Sequence, residues 1–226
     1  KLEDKVFNYA DKIIVTTKSI KSEVEKRINK QLNKIIIVPN YVDTDLFKPI
    51  NAKIKKYDIL FVGRIVYQKN LISLLTALET LNVNALIIGD GYFRDDLISR
   101  FMHLKKRITW EKCISNNELP TIMNQSSIFV LPSFYEGHPK ILLEAMSCGM
   151  AVLGANSPGI VELIKHGING YLSNTDSDSI STSIKKLLNE PDIRKTIGNS
   201  AREYALNNFS LEKVVKLEYD LYRSFL

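Results

Sequence analysis

Two carboxylates and two cations stand where they could do chemistry. Glu136 and Glu144 lie eight residues apart in the stretch EGHPKILLEAMSCG, and Arg64 and Lys69 follow the apolar run Ile59–Val62. If the chain from 136 to 144 is largely helical, the two carboxylates are roughly 12 Å apart. A glycosidase pair flanking one bond sits ~5–9.5 Å apart, so Glu136 and Glu144 suit the two ends of one elongated, hydroxylated ligand better. Arg64 offers a planar fork of donors and Lys69 a point charge, a pair that can hold a diphosphate. On type and position alone, two basic loop residues suit solvent equally well, and a bare pair of Glu at this spacing is a weak signal.

The elements that must position these groups are legible. Ile128–Leu131 reads as a short buried strand, broken by Pro132 and Ser133. Glu136 and Gly137 make a turn, and Pro139 suits the first turn of a helix, where its missing N–H has no partner anyway. The helix runs through Ile141, Leu142, Leu143, Glu144, Ala145 and Met146. Gly149 stops it, and Ala151–Leu153 begins the next strand. The unit is a βαβ, and the free N–H groups at the helix start form a site for oxygens or anions. Gly63 follows the strand Ile59–Val62 directly, which lets the backbone turn tightly. Ligands of open α/β sheets bind outside the carboxyl ends of strands, so Gly63, Arg64 and Lys69 fall in the right place. The strand Ala85–Ile88 ends in Gly89-Asp90-Gly91, which is neither a Walker loop nor a full dinucleotide fingerprint. It reads as a strand-to-helix turn near the ligand.

Around this centre the pattern predicts a strand at Ile13–Thr16 and a basic helix from Ile20 to Ile28, capped by Thr17 or Ser19. Lys18, Lys21, Lys26, Arg27 and Lys30 make that helix a solvated face or a contact for a membrane surface or an acidic partner. Further on come a helix from Phe93 to His103, with His103 in solvent, and a strand at Ile108–Glu111. Ser115 or Asn116 caps a helix to Asn124, and another helix opens after Gly159 with Ile160, Val161, Leu163 and Ile164. A turn and last strand lie over His166–Leu172. Asp176 caps a helix to Leu188, Pro191 starts one to Asn207, and Leu211–Leu226 forms the last. Strands alternating with helices predict an α/β fold, a Rossmann-like parallel sheet with helices on both faces.

The stretch from Glu136 to Gly149 resembles the E-x7-E signature of retaining, sugar-nucleotide-dependent glycosyltransferases of the GT-B fold, in their family 4-like group. The resemblance extends to the Gly-Asp-Gly turn, to the turn His166–Leu172 and to Val38–Pro49, which resembles the connector between the two domains of those enzymes. It departs from the family pattern at Tyr41 and Lys112, where Gly is usual. It implies that residues 1–33 are the tail of an N-terminal domain otherwise absent, with the strand Ile13–Thr16 left without its sheet, 34–207 the donor-binding domain and 208–226 a helix crossing back. Arg64 and Lys69 are then expected to neutralise the leaving diphosphate and Glu136 to orient the donor sugar. Glu144 is expected to bind ribose hydroxyls, and Gly63, Gly89 and Gly91 to lie near the donor. Gly137, His138, Pro139, Lys140 and Ile141 would also bind the donor, and Cys113 and Ile114 its base. The implied donor is a nucleotide-diphosphate sugar, with no metal or other cofactor, and the implied acceptor a glycan or a lipid-linked sugar. A nucleotide-sugar-binding or regulatory module without turnover is the alternative.

Bulk properties narrow the classes. With 31 basic and 25 acidic residues the net charge is +6, which suits an anionic ligand. No interleaving of aromatic and basic residues points to nucleic acid. Two cysteines, Cys113 and Cys148, give no disulfide framework and fit a reducing compartment. The expected location is cytoplasmic, with peripheral contact at the inner membrane face as a further expectation. No apolar run is long enough to span a bilayer. The chain begins with Lys1 rather than Met, and the expectation is that it is part of a longer protein.

Overall fold

Alternation of apolar residues on successive strands builds two buried faces on one sheet. The computed structural model describes residues 2–27, 33–50 and 55–224; Ile28, Lys30 and Leu226, which the sequence placed on helices, lie outside them. The chain starts with α1 (Leu2–Tyr9), β1 (Ile13–Val15), α2 (Lys18–Arg27) and β2 (Ile35–Ile37). Then follow β3 (Tyr57–Val62), α3 (Leu71–Glu79), β4 (Ala85–Ile88), α4 (Arg94–Arg100) and β5 (Ile108–Glu111). After them come α5 (Leu119–Asn124), β6 (Ser126–Leu131), α6 (Lys140–Ser147), β7 (Ala151–Ala155) and β8 (Tyr171–Ser173). The chain ends in α7 (Ser177–Asn189), α8 (Pro191–Phe209) and α9 (Leu211–Arg223).

Among the described residues the strands form two sheets, one of β1 and β2 and one of six strands in the order β5-β4-β3-β6-β7-β8. Every pairing is parallel, as βαβ crossovers require. This is the doubly wound order, and its reversal falls between β3 and β6, where such sheets bind ligands at the carboxyl ends. Leu60, Phe129, Leu131 and Val152 face one layer, packed with Met123 of α5, Leu142 and Leu143 of α6 and Ala201 and Ala205 of α8. Ile59, Phe61, Ile87, Ile128 and Val130 face the other, with Leu74, Leu75 and Leu78 of α3, Leu97 of α4 and Ile180 and Ile184 of α7. The α/β Rossmann-like arrangement read from the sequence is the one found.

Three local expectations change. The segment after Gly159 is a series of turns, not a helix. Its turns keep short-range bonds, Val161 N to Ser157 O and Ile164 N to Ile160 O, and Asn169 closes their end, Oδ1 accepting from Lys165 N at 2.6 Å and Nδ2 donating to Leu163 O at 3.0 Å. The helix expected from Ser115 begins only at Leu119, because Ser115 O accepts from both Glu118 N and Leu119 N and forms a turn first. β1, expected to lack a sheet, pairs with β2 in the register Ile13↔Ile35. Asp176 does cap α7, its Oδ1 accepting from Ser179 N at 2.8 Å. No helix among the described residues is long and apolar enough to cross a membrane.

Candidate active site at the sheet reversal

The loops leaving β3 and β6 are knitted together by hydrogen bonds. Phe134 N donates to Gln68 O at 2.9 Å, and Gln68 Nε2 donates to Tyr135 O at 2.7 Å. Asn70 occupies the left-handed region at φ 52°, which Asn tolerates better than most residues. Its buried amide donates to Pro132 O at 3.1 Å and Thr175 O at 2.8 Å, so one side chain ties together the loops after β3, β6 and β8. The sequence contains Asn70 beside Lys69, but nothing in it marked this role.

On this frame Lys69 Nζ lies 2.6 Å from Glu136 Oε1, with both side chains largely buried. One expected diphosphate cation and the expected sugar-orienting carboxylate are thus in contact across the sheet reversal. Arg64 is exposed and makes no hydrogen bond or ion pair among the described residues. Gly63 packs under Lys69: a Cβ there would lie 3.6 Å from Lys69 Cε. Gly89 and Gly91 serve the backbone. A Cβ at Gly89 would fall 1.9 Å from Gly63 O, and one at Gly91 2.3 Å from Ile65 O. This close approach lets Gly63 N donate to Ile88 O and Ile65 N to Asp90 O, which fixes the Arg64 loop against the end of β4.

The turn into α6 supplies donors. Pro139 is the residue before the helix, with extended backbone (φ −70°, ψ 105°), rather than its first helical residue. Its carbonyl accepts from Leu142 N and Leu143 N. The N–H groups of Gly137, His138, Lys140 and Ile141 donate to nothing among the described residues. They converge with the positive end of the helix dipole. Gly137 is open on its Cα side, with nothing within 4 Å of a built Cβ. Beneath it, Gly159 (φ +81°) brings its backbone against Glu136 O, where any side chain would collide at 2.1 Å.

Glu144 is 6% exposed and its carboxylate accepts no hydrogen bond among the described residues. Burial pushes its pKa up from 4.5 to about 7, against a smaller lowering by Lys140. An unpartnered, desolvated carboxylate is poised to accept from a ligand hydroxyl. His138 is buried and its pKa is depressed from 6.5 to about 4 by desolvation, with Glu162 opposing. Its Nδ1 accepts from Asn40 N at 3.3 Å, and Asn40 Nδ2 donates to His138 O at 2.6 Å. The ring is therefore neutral, carries its proton on Nε2 and packs edge-on to Phe209. The sequence offered no group to orient it; Asn40 of the connector does so.

Lys140 is exposed, its ammonium 4.7 Å from the centre of the Tyr41 ring, and Ile141 packs partly against the core. Cys113 is exposed, beyond β5 at the sheet's outer edge, and Ile114 is half-buried against the α5–α6 layer.

The family described as "Glycosyl transferases group 1" matches residues 42–204. Over 213 residues the chain is 31% identical to an Escherichia coli protein named UDP-Gal:alpha-D-GlcNAc-diphosphoundecaprenol alpha-1,3-galactosyltransferase, an alignment covering 83% of this chain and 54% of that one. It is 26% identical over 231 residues to an uncharacterised glycosyltransferase of Methanocaldococcus jannaschii, covering 93% of this chain and 59% of that one. The chain thus spans little more than half the length of these two relatives. A solved sucrose-phosphate synthase from Thermosynechococcus elongatus shares the fold with a TM-score of 0.89 at 23% identity, over 99% of this chain and 60% of the other. A family match over most of the chain and the doubly wound sheet agree: this chain belongs to the glycosyl transferases group 1 family.

Proposed function

We propose that the protein containing this chain transfers a glycosyl group, with retention, from a nucleotide-diphosphate sugar to a glycan or lipid-linked acceptor. This chain supplies the donor-binding half, and an N-terminal domain outside it would close the cleft. The observation that carries the reading is the 2.6 Å contact of Lys69 with Glu136 at the sheet reversal, together with four amides at the turn into α6 and a Glu144 carboxylate that have no partner among the described residues. As the glycosidic bond breaks, negative charge grows on the leaving diphosphate. Arg64, free to move, and Lys69, held in place by Glu136, stabilise that charge; the proposal gives this work to them rather than to a metal ion. The amides of Gly137, His138, Lys140 and Ile141 bind donor oxygens, Glu136 orients sugar hydroxyls, and Glu144 accepts from the ribose. Neutral His138 positions the turn. The E. coli relative is named for a UDP-linked donor and a diphosphoundecaprenol-linked acceptor, which supports this donor and acceptor class.

A thermal-shift screen of UDP- and GDP-sugars tests the reading. A ligand at about 100 times its Kd stabilises a fold by about 2.7 kcal/mol, a clear rise in Tm. No shift with any nucleotide sugar would remove the proposal. Because the chain spans 54–59% of these two relatives, a binding module without turnover is the second reading. It predicts the same shift but no transfer by the full-length protein.

A further inference from the structure

At the amino ends of β3, β6 and β7, opposite the donor site, lies a pocket of about 260 Å³ lined by Lys55, Asn124, Ser127, Cys148–Ala151, Pro191, Arg194 and Lys195. Three cations line it, and no carboxylate does. Lys55 Nζ donates to Asn124 O at 2.8 Å and Ser126 O at 2.9 Å, leaving one of its three hydrogens for a ligand. Arg194 Nη1 donates to Leu187 O and Leu188 O. Its Nη2 and Nε have no partner among the described residues, and Lys195 makes no hydrogen bond or ion pair there. Glu190 and Asp192 flank Pro191 in sequence, but neither reaches the pocket lining.

We propose that this pocket binds a small phosphate-bearing anion. The side chains of Lys55, before β3, and Arg194, in the first turn of α8, bond the last carbonyls of α5 and α7, where a cation is favoured by the dipole. That role uses backbone carbonyls only and leaves the mutual repulsion of the cations uncompensated. Burial and the nearby Arg194 both lower the pKa of Lys55. The neighbouring Cys148 thiol supplies no negative charge, because burial pushes its pKa up to about 12. An anion would satisfy the free donors and cancel the repulsion together. Orthophosphate is smaller than the pocket, which leaves room for a diphosphate or for the sugar of a phosphosugar.

The test must separate this pocket from the donor site. Inorganic phosphate, pyrophosphate and a hexose 6-phosphate are titrated by calorimetry into Arg64→Ala, which removes the exposed cation of the donor site. The same ligands are titrated into that variant carrying Lys195→Glu or Arg194→Gln. Losing one charge-assisted donor costs about tenfold or more in affinity. The expected result is binding in Arg64→Ala that weakens at least about tenfold in both doubly changed proteins. Tighter binding of the hexose phosphate assigns a phosphosugar, and tighter binding of pyrophosphate an inorganic anion. Lys195 is exposed, so its replacement leaves the fold intact. Absence of binding in Arg64→Ala, or affinity unchanged by Lys195→Glu, overturns the proposal.

Discussion

Glu144 and His138 make opposite demands on pH. The folded pKa of Glu144 lies near 7, above its ordinary 4.5. The folded state therefore holds the extra proton in that window, and its stability falls as pH rises from about 4.5 through 7. Glu144→Gln is expected to raise the melting temperature at pH 8 and to flatten this fall in a series of melts across pH. His138 is the mirror case. Its folded pKa of about 4 lies below 6.5, so it contributes stability above 6.5 that is lost as pH falls through 4. His138→Gln should blunt acid unfolding in circular dichroism. Lys69→Met leaves Glu136 largely buried without its partner, and a loss of about 1–3 kcal/mol in denaturant unfolding is expected. By type and spacing alone Glu136, Glu144 and Lys69 were weak signals, and the family resemblance singled them out. The partner of His138 could not be picked from the sequence, because Asn40 lies 98 residues away and only the folded connector brings it near.

At the level of elements, the glycines after β4 clamp the site. Gly91→Ala would drive a methyl group toward Ile65 O, at 2.3 Å in the present backbone, so the Arg64 loop must move. A loss of about 2–4 kcal/mol is expected, read by urea unfolding, together with weaker nucleotide-sugar binding; wild-type stability would contradict the clamp. The strands β3, β4 and β6 were readable because each is a short apolar run bounded by turn residues. The turns after Gly159 imitate a helix in pattern: Ile160, Leu163 and Ile164 are all buried at helical spacing. Asn169, from outside the pattern, bonds Leu163 O and Lys165 N and ends the turns there. Gly89 and Gly91 drew attention as possible ligand contacts. What they do, letting two backbones approach, depends on which strands are neighbours, and sequence periodicity does not encode that order.

On the scale of the whole molecule, Glu162 links the six-stranded unit to the N-terminal segment. Its carboxylate accepts from Lys18 N at 3.0 Å and from the Ser19 hydroxyl, at the positive end of α2. Such a contact is worth about 0.3–1 kcal/mol. Glu162→Ala should speed amide hydrogen exchange in residues 18–27 and leave β3 and β6 protected; equal exchange would show that α2 is held by other contacts. α9 buries Val214 and leaves Val215, Leu217, Tyr219 and Tyr222 exposed. The central claim is that one donor molecule spans the sheet reversal. A crystal structure of this chain with a UDP- or GDP-sugar tests it most directly. The account predicts the diphosphate within hydrogen-bond distance of Arg64 and Lys69 and the ribose on Glu144; a nucleotide seated elsewhere, with Lys69, Glu136 and Glu144 untouched, would contradict it.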